Sequence, residues 1–377
     1  MRYLSVCSGI EAVSVAWRAL QWRPVAFSEI DPFACAVLAH RYAGVPNHGD
    51  MTRYEEWPDA TLDVLVGGTP CQSFSVAGKR GGMDDARGDL ARVFIAVAGR
   101  YRPGWIVWEN VPGVLSSNEG RDFGAFLGGL AELGYGFAYR VLDAQYFGVP
   151  QQRRRVFVVG CLGSWQRAAA VLFERESLRG DSAPLGITRD DPAAGTEVRA
   201  HAHLCLTNAE GAEGLPYLTR SNLGKYLNNQ TPLIAFDSRQ DPVSGPVFGS
   251  LSSSLPQAQA VCVPGGGTYV RRITPRECER LMGLPDDYTL VPYRGKPAAD
   301  GPRYAALGNS MAVPVMQWIG ERIANVIGAA NKVDAKAASK SSSTRSSRAS
   351  DSHEGQQKSL QEPSMQALSI AGCGGRT

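Results

Sequence analysis

The sequence predicts an α/β protein built on a mostly parallel sheet with helices on both faces, joined to a smaller, loop-rich second domain. Short apolar runs alternate with helically spaced segments from residue 3 to residue 160, the pattern of a parallel sheet. That rhythm breaks between Gly163 and Thr268, where Gly, Pro, Ser and Asn dominate and no long periodic helix occurs. It returns at Ile273 with Thr274-Pro275-Arg276-Glu277, a capping box with proline at the first helical position.

In chain order, Tyr3 to Val6 reads as the first strand, and Ile10, Val13, Trp17 and Leu20 then keep helical spacing. Val25 to Phe27 is the second strand, followed by Asp31 as a cap and Pro32 at the first helical position. Gly49-Asp50 closes another short element. Leu62 to Val66 is a continuous apolar run, hence a buried strand, ending in Gly67-Gly68-Thr69-Pro70. A helix from about Leu90 to Arg100 leads to a strand at Trp105–Trp108. A helix from about Asp122 to Leu133 precedes two final strands, Phe137–Leu142 and Val156–Gly160. The last helix is Val313–Ile327, with an apolar face that needs the sheet of the first half. Beyond about Ala330 the chain is mostly Ser, Lys, Ala and Gln and is expected to be disordered.

Composition narrows the class. No apolar run approaches a membrane span, and Ser5, Ser8 and Glu11 interrupt any signal-peptide core. Eight scattered cysteines without a CxxC pair indicate neither a disulfide framework nor a zinc site, so a reducing cytoplasm is expected. His201, His203 and Cys205 at alternate positions make only a weak metal case. The net charge of +3 arises wholly from residues 331–377, with seven Lys/Arg against four Asp/Glu; the first 330 residues are neutral. Any nucleic-acid surface must therefore come from local charge segregation.

Chemistry concentrates at the ends of the strands. Cys71 opens the segment after the buried strand, where open α/β sheets place ligands, with Lys79, Arg80 and Arg87 close behind in sequence. Nearby cations favour the attacking thiolate, although a free cysteine is most often a small buried hydrophobe. Ser8-Gly9 follows the first strand in the nucleotide-binding position but carries only one glycine, too few for a pyrophosphate fingerprint. Glu29, about twenty residues on, suits two ribose hydroxyls, and Asp50 suits an amino group of adenine. Each of these is also an ordinary cap or turn residue. Glu109 follows a strand and, at the edge of an apolar pocket, would stay protonated and donate to a ring nitrogen. In an extended chain Arg153 and Arg155 share a face and Arg154 points away, so two guanidiniums suit a base or phosphate oxygen.

The ordered series SVCSGIE, SEID, GD, GGTPCQSFSVAGKRGG, ENVPG, QQRRRVFVVG, ITPRECERLMGLPDDY and GNSMAVP closely resembles the motif series of the DNA cytosine-C5 methyltransferases, bacterial and bacteriophage Dcm-like branch. The likeness covers about residues 3–162 and 270–328. It implies a Rossmann-like methyltransferase sheet using S-adenosylmethionine, with Cys71 as the nucleophile and Glu109, Arg153 and Arg155 around the cytosine. It implies a cofactor set of Ser8, Gly9, Ile10, Glu29, Ile30, Asp50, Pro70, Asn309 and Ser310, and no metal. Residues 1–162 and 270–330 then form the catalytic domain, 163–269 the target-recognition domain and 331–377 a tail. The implied partner is double-stranded DNA, met by a monomer of bacterial or phage origin; a cognate restriction endonuclease is a further partner that the resemblance allows. Arg189, Arg199, Arg220 and Arg239 are candidates for guanine contacts.

The chain departs from the family at Cys7, where an aromatic is usual, at Glu11 and Ala12, where glycines are, at Ile30 and at Met311. A tRNA-methylating relative and a catalytically silent DNA-binding relative are the rival readings. The long insert favours DNA, and retention of Cys71 and Glu109 favours activity.

Overall fold

The computed structural model describes residues 1–70, 90–173, 235–237, 259–263 and 269–331. The chain divides into Met1–Val326 and Ile327–Thr377; of the second unit only 327–331, the end of a helix, is described. Cys71 with the glycine-rich stretch after it, His201, His203, Cys205, the four candidate guanine-reading arginines and the tail from Lys332 lie outside the described residues.

Six strands form the central sheet: β1 (Arg2–Val6), β2 (Arg23–Ser28), β3 (Val64–Gly67), β4 (Trp105–Asn110), β5 (Tyr135–Asp143) and β6 (Arg154–Leu162). Their spatial order is β2-β1-β3-β4-β6-β5, and every pairing is parallel except those of β6, which runs antiparallel to both neighbours. Register aligns the strand ends: Val6 pairs with Ser28 on one side and Gly67 on the other, and Gly67 pairs with Trp108. The loops that leave β1, β2 and β3 thus start side by side.

Strand residues alternate between the two faces. Leu4, Val6, Leu65, Ile106, Trp108, Val156 and Val158 share one core cluster with Phe94 and Val97 of α3 (Leu90–Tyr101) and Phe126 and Leu130 of α4 (Arg121–Glu132). On the opposite face Tyr3, Val64, Val66, Val107 and Phe157 are buried. There Tyr3 meets Trp17 of α1 (Ala12–Trp17) edge-on, with ring centroids 5.0 Å apart. Trp17 donates its indole N–H to the carbonyl of Met316, at 2.8 Å. The predicted helices on both faces are therefore present, and the segment after the insert completes one of them.

Three details differ from the sequence reading. Glu109 lies within β4 and does not follow it, because the strand continues to Asn110 in register with β6. Asp50 ends no strand: Asn47 makes an isolated bridge to Phe27, and Asp50 caps a 3₁₀ turn at Met51–Glu56. A short helix, α5 (Trp165–Leu172), opens the segment expected to be irregular or short-stranded and packs on β5 and β6. Gly136 admits it, since a Cβ there would lie 2.1 Å from the backbone nitrogen of Trp165. The layer covering the sheet thus reaches Leu172.

In the insert and across its end, β7 (Ala235–Asp237), β8 (Gln259–Val263) and β9 (Tyr269–Arg272) form a separate three-stranded antiparallel sheet. The return segment carries α6 (Pro275–Leu281), opened by the predicted capping box, then α7 (Asp300–Asn309) and α8 (313–331). Val313, Met316, Ile319 and Ile323 form the buried face of α8.

Candidate active site

The loop after β1 is conformationally costly. Cys7, Gly9 and Glu11 all have positive φ, at 49°, 55° and 62°, and the two non-glycine residues each cost about 1–2 kcal/mol. Tethers offset that cost. The Ser8 hydroxyl donates to the Ser5 carbonyl at 2.9 Å and accepts from the Ser28 N–H at 3.2 Å. Gly9 donates its N–H to Glu29 Oε2 at 2.6 Å. Glu11, fully buried, caps α1 by accepting from the N–H and hydroxyl of Ser14. Burial pushes the Glu11 carboxyl up to about 7. Between an unfolded value of about 4.3 and that figure the folded chain holds the extra proton, so this group's stabilisation is complete at acid pH and lost as pH rises towards 7.

Glu29 also accepts from the N–H groups of Ile30 and Asp31, at 2.8 and 2.7 Å. A carboxylate has about four lone-pair sites, so one position remains for a ligand hydroxyl beside these three, and bifurcation admits a second. A Cβ added to Gly9 would meet nothing within 4 Å, so open space lies above it. Ile30 stands at the same edge with 69 % of its surface exposed. Asp50 accepts from Thr52 N–H and lines a cavity of about 370 Å³ with Trp57 and His48.

The second half of the site is built on β3, β4 and β6. Glu109 and Arg155 project from neighbouring strands, and Arg155 Nε lies 3.1 Å from Glu109 Oε1. Both side chains are more than four-fifths buried. Burial raises the Glu109 pKa, and Arg155 and Arg153 beside it only partly pull it back. The result is an acid held towards its protonated form against a permanent cation.

Gly68 leaves room for the Glu109 carboxylate. A Cβ there would sit 2.9 Å from Glu109 Oε2 and 3.1 Å from Met311 Cε. Both are ends of flexible side chains, so Gly68→Ala should fold with a thermal midpoint near that of the parent. The added methyl should nevertheless displace the carboxyl and lower turnover by about 10²-fold, as small misplacements of reacting groups do. Turnover assayed beside thermal unfolding checks this; an unchanged rate would place the carboxyl's working position elsewhere.

Two β4 side chains fix the approach to Cys71. Trp108 donates its indole N–H to Thr69 Oγ1 at 3.0 Å, and Asn110 donates to the Thr69 carbonyl at 2.9 Å. Thr69 is buried and Pro70 exposed. Arg153 is buried behind the pair: its Nη2 donates to the carbonyls of Gly308 and Ser310, at 3.1 and 2.7 Å. Burial and the neighbouring Arg155 lower its pKa to about 9. Arg154 is exposed, as alternation predicted. Asn309 is exposed and Ser310 buried at the start of the turn that Arg153 holds.

The structure thus gathers Ser8, Gly9, Glu29 and Ile30 at one edge and joins Glu109 to Arg155. Arg153 braces the GNS turn. Sequence reasoning missed Asn110, Thr69 and a buried knot in the return segment. In that knot Glu279, fully buried, accepts from the N–H groups of Asp287 and Thr289, at 2.7 and 2.8 Å, and from Arg303 Nη2 at 3.2 Å. The capping box was the one signal near it. Among the described residues no cluster of His, Cys, Asp or Glu could hold a metal, and no helix is long and apolar enough to cross a membrane.

The site is thus a parallel-rich sheet with Glu29 just past the end of β2 and a buried acid–guanidinium pair on β4 and β6. The chain belongs to the C-5 cytosine-specific DNA methylase family, whose model matches residues 1–325. It is 35 % identical to a protein of Escherichia phage P1 named DNA N-6-adenine-methyltransferase, over 86 % of this chain and 61 % of that one. The chain therefore spans less than two thirds of that relative. It is 29 % identical to the type II methyltransferase M2.BsuMI of Bacillus subtilis, over 86 % of this chain and 75 % of the other. Among solved structures, the Dnmt2 methyltransferase of S. pombe superposes with a TM-score of 0.56 at 18 % identity, covering 84 % of this chain and 96 % of its own. S-adenosylmethionine is the methyl donor of the family. The open space above Gly9, with the Glu29 carboxylate bonded to the Gly9 N–H, leaves room and an acceptor for a nucleoside hydroxyl of such a donor.

Proposed function

We propose that this protein methylates C5 of a cytosine flipped out of double-stranded DNA. The observation that carries the reading is the buried Glu109–Arg155 pair, held on β4 and β6 next to β3, the strand that leads to Cys71. Bound S-adenosylmethionine supplies an electrophilic methyl group. The chain's residues supply the rest. The Cys71 thiolate adds to C6, which turns C5 from a poor aromatic nucleophile into an enamine carbon. Glu109 donates to N3 as that addition proceeds, and Arg155 holds O2. Once C5 carries the methyl group, it loses its proton to water, the C5–C6 double bond re-forms, the bond from sulfur to C6 breaks to return the Cys71 thiolate, and N3 gives its proton back to Glu109. Arg153 serves by holding Gly308 and Ser310, and through them the turn that carries Asn309. C6 is shielded in a stacked duplex, so the base must leave the helix.

Glu29, Gly9 and Asp50 bind the nucleoside part of the cofactor, with Ser8, Ile10, Ile30, Pro70, Asn309 and Ser310 around it. Residues from about 174 to 268 form the target-recognition domain, and 270–330 completes the catalytic domain. A tRNA substrate and the adenine-N6 activity in the phage relative's name are the alternatives. Transfer to an exocyclic amine needs no thiol nucleophile, so the PCQ motif favours cytosine.

Sequencing resolves these readings in one design. DNA and RNA from cells that express the protein, and lack cytosine methylation of their own, are compared for both methylated bases. 5-Methylcytosine confined to one duplex sequence is expected. Methyl groups confined to tRNA, or N6-methyladenine in the DNA, would overturn the assignment. Exchanging 174–268 for the corresponding segment of a relative should transfer the relative's site, and Arg189, Arg199, Arg220 and Arg239 are the first residues to substitute. Each guanine contact is worth about 1–3 kcal/mol if bidentate. An active chimera that keeps the original site would place specificity elsewhere.

A further inference from the structure

We propose that Tyr288, far from the cofactor loop in sequence, is a positioning residue for cofactor binding: its hydroxyl holds the strained loop 7–11 in its binding conformation. The inference rests on the assignment of that loop to S-adenosylmethionine.

Three of the loop's tethers come from the amino-terminal part of the chain: Ser8 to Ser5 and Ser28, Gly9 to Glu29, and Glu11 to Ser14. The fourth does not. Tyr288 donates its hydroxyl to the carbonyl of Ile10 at 2.8 Å, in a buried contact that spans 278 positions of sequence. Glu29 grips the N–H of Gly9 and Tyr288 the carbonyl of the next residue, so the loop is held from both sides.

The turn that delivers Tyr288 is itself fixed. Glu279 takes the N–H groups on either side of it, those of Asp287 and Thr289. Arg41, at the end of α2 (Pro32–Arg41), donates to the carbonyls of Asp287 and Tyr288, at 2.7 and 2.8 Å. Its guanidinium lies 5.0 Å from the centre of the Tyr288 ring. Tyr42 and Tyr288 hydroxyls are 3.0 Å apart. Because Tyr288 spends its one proton on Ile10, Tyr42 must be the donor in that pair, which polarises the Tyr288 hydroxyl further. Asp287 sits at φ 57°, a conformation kept only where the surroundings over-determine it.

Such rigidity is more than packing requires, since a phenylalanine ring would fill the same space. The hydroxyl's effect is on a backbone carbonyl within the cofactor loop. The loop pays for two left-handed non-glycine residues at Cys7 and Glu11, and without Tyr288 it has an unmatched buried carbonyl and a free path to relaxed conformations.

The test uses the full-length protein and needs no DNA. Tyr288→Phe and, separately, Arg41→Met are titrated with S-adenosylmethionine by calorimetry, and amide exchange is followed across residues 8–12 without ligand. Tyr288→Phe should weaken binding about fivefold, the effect of one buried hydrogen bond. Exchange across 8–12 should accelerate, and turnover at saturating cofactor should stay within about twofold. Arg41→Met should shift binding in the same direction, by less. Dissociation constants within twofold of the parent for both variants, or weakening that merely tracks loss of native fold by thermal unfolding, would overturn the proposal. Failure of the parent to bind the cofactor would remove the reading on which it rests. A parent that binds the cofactor but methylates no cytosine would refute the proposed substrate alone.

Discussion

Cys71→Ala should lose all measurable methyl transfer, a fall beyond about 10⁴-fold, while S-adenosylmethionine still binds. The size follows from the chemistry: without addition at C6, C5 has no electron pair to offer an electrophilic methyl group. Nor do the described residues offer a substitute thiol. Cys7 lies within the loop 7–11, but burial, with Glu29 and Asp50 nearby, pushes its thiol up to about 12. At neutral pH almost none of it is thiolate. Cys35, Cys161 and Cys278 are likewise raised by burial. Initial rates of labelled methyl transfer to duplex DNA, measured beside cofactor titration, check both halves. Activity within tenfold of the parent would remove Cys71 from the chemistry.

Glu109→Gln should lower the rate of the chemical step by about 10²–10⁴-fold, the usual contribution of a positioned acid. Glutamine keeps the size and a hydrogen-bond donor but cannot transfer a proton. The parent's pH dependence gives a second readout. Burial raises the Glu109 pKa above its ordinary value, so the donating form prevails below the raised value and is lost as pH climbs through it. The rate should therefore fall on that alkaline side, and the limb should be missing in the glutamine variant. Single-turnover rates over a pH series measure both. A fall of threefold or less, with the same pH profile, would make the pair a structural one.

Much of the fold was legible because its signals are local. The apolar run at 62–66, the Asp31-Pro32 start and the Thr274–Glu277 capping box each depend on residues within one turn, and each is found. The alternation at 153–155 correctly set Arg154 apart. Errors occurred where tertiary pairing decided the outcome. β4 extends to Asn110 because β6 continues beside it, and α5 forms because β5 and β6 offer a surface for Ala168, Val171 and Leu172. Composition around Gly163 carried no trace of that surface.

The site was legible in its charged members and silent in its supports. Glu29, Glu109 and Arg155 are residue types whose burial at a strand end calls for an explanation, so sequence position alone raised them. Arg153 was also singled out, but its role as a brace depends on carbonyls at 308 and 310, more than 150 residues away. Asn110 and Tyr288 act through single hydrogen bonds to backbone groups that no spacing rule connects.

The most direct test of the central claim uses a duplex carrying 5-fluorocytosine at the methylated position, incubated with the protein and S-adenosylmethionine. Fluorine at C5 cannot leave as a proton does, so the bond from sulfur to C6 should persist. Mass spectrometry should find one protein chain joined to one DNA strand through the peptide that contains Cys71, and no adduct with Cys71→Ala. Methylation of ordinary duplex DNA without any adduct on the fluorinated one, or an adduct at another residue, would contradict the account.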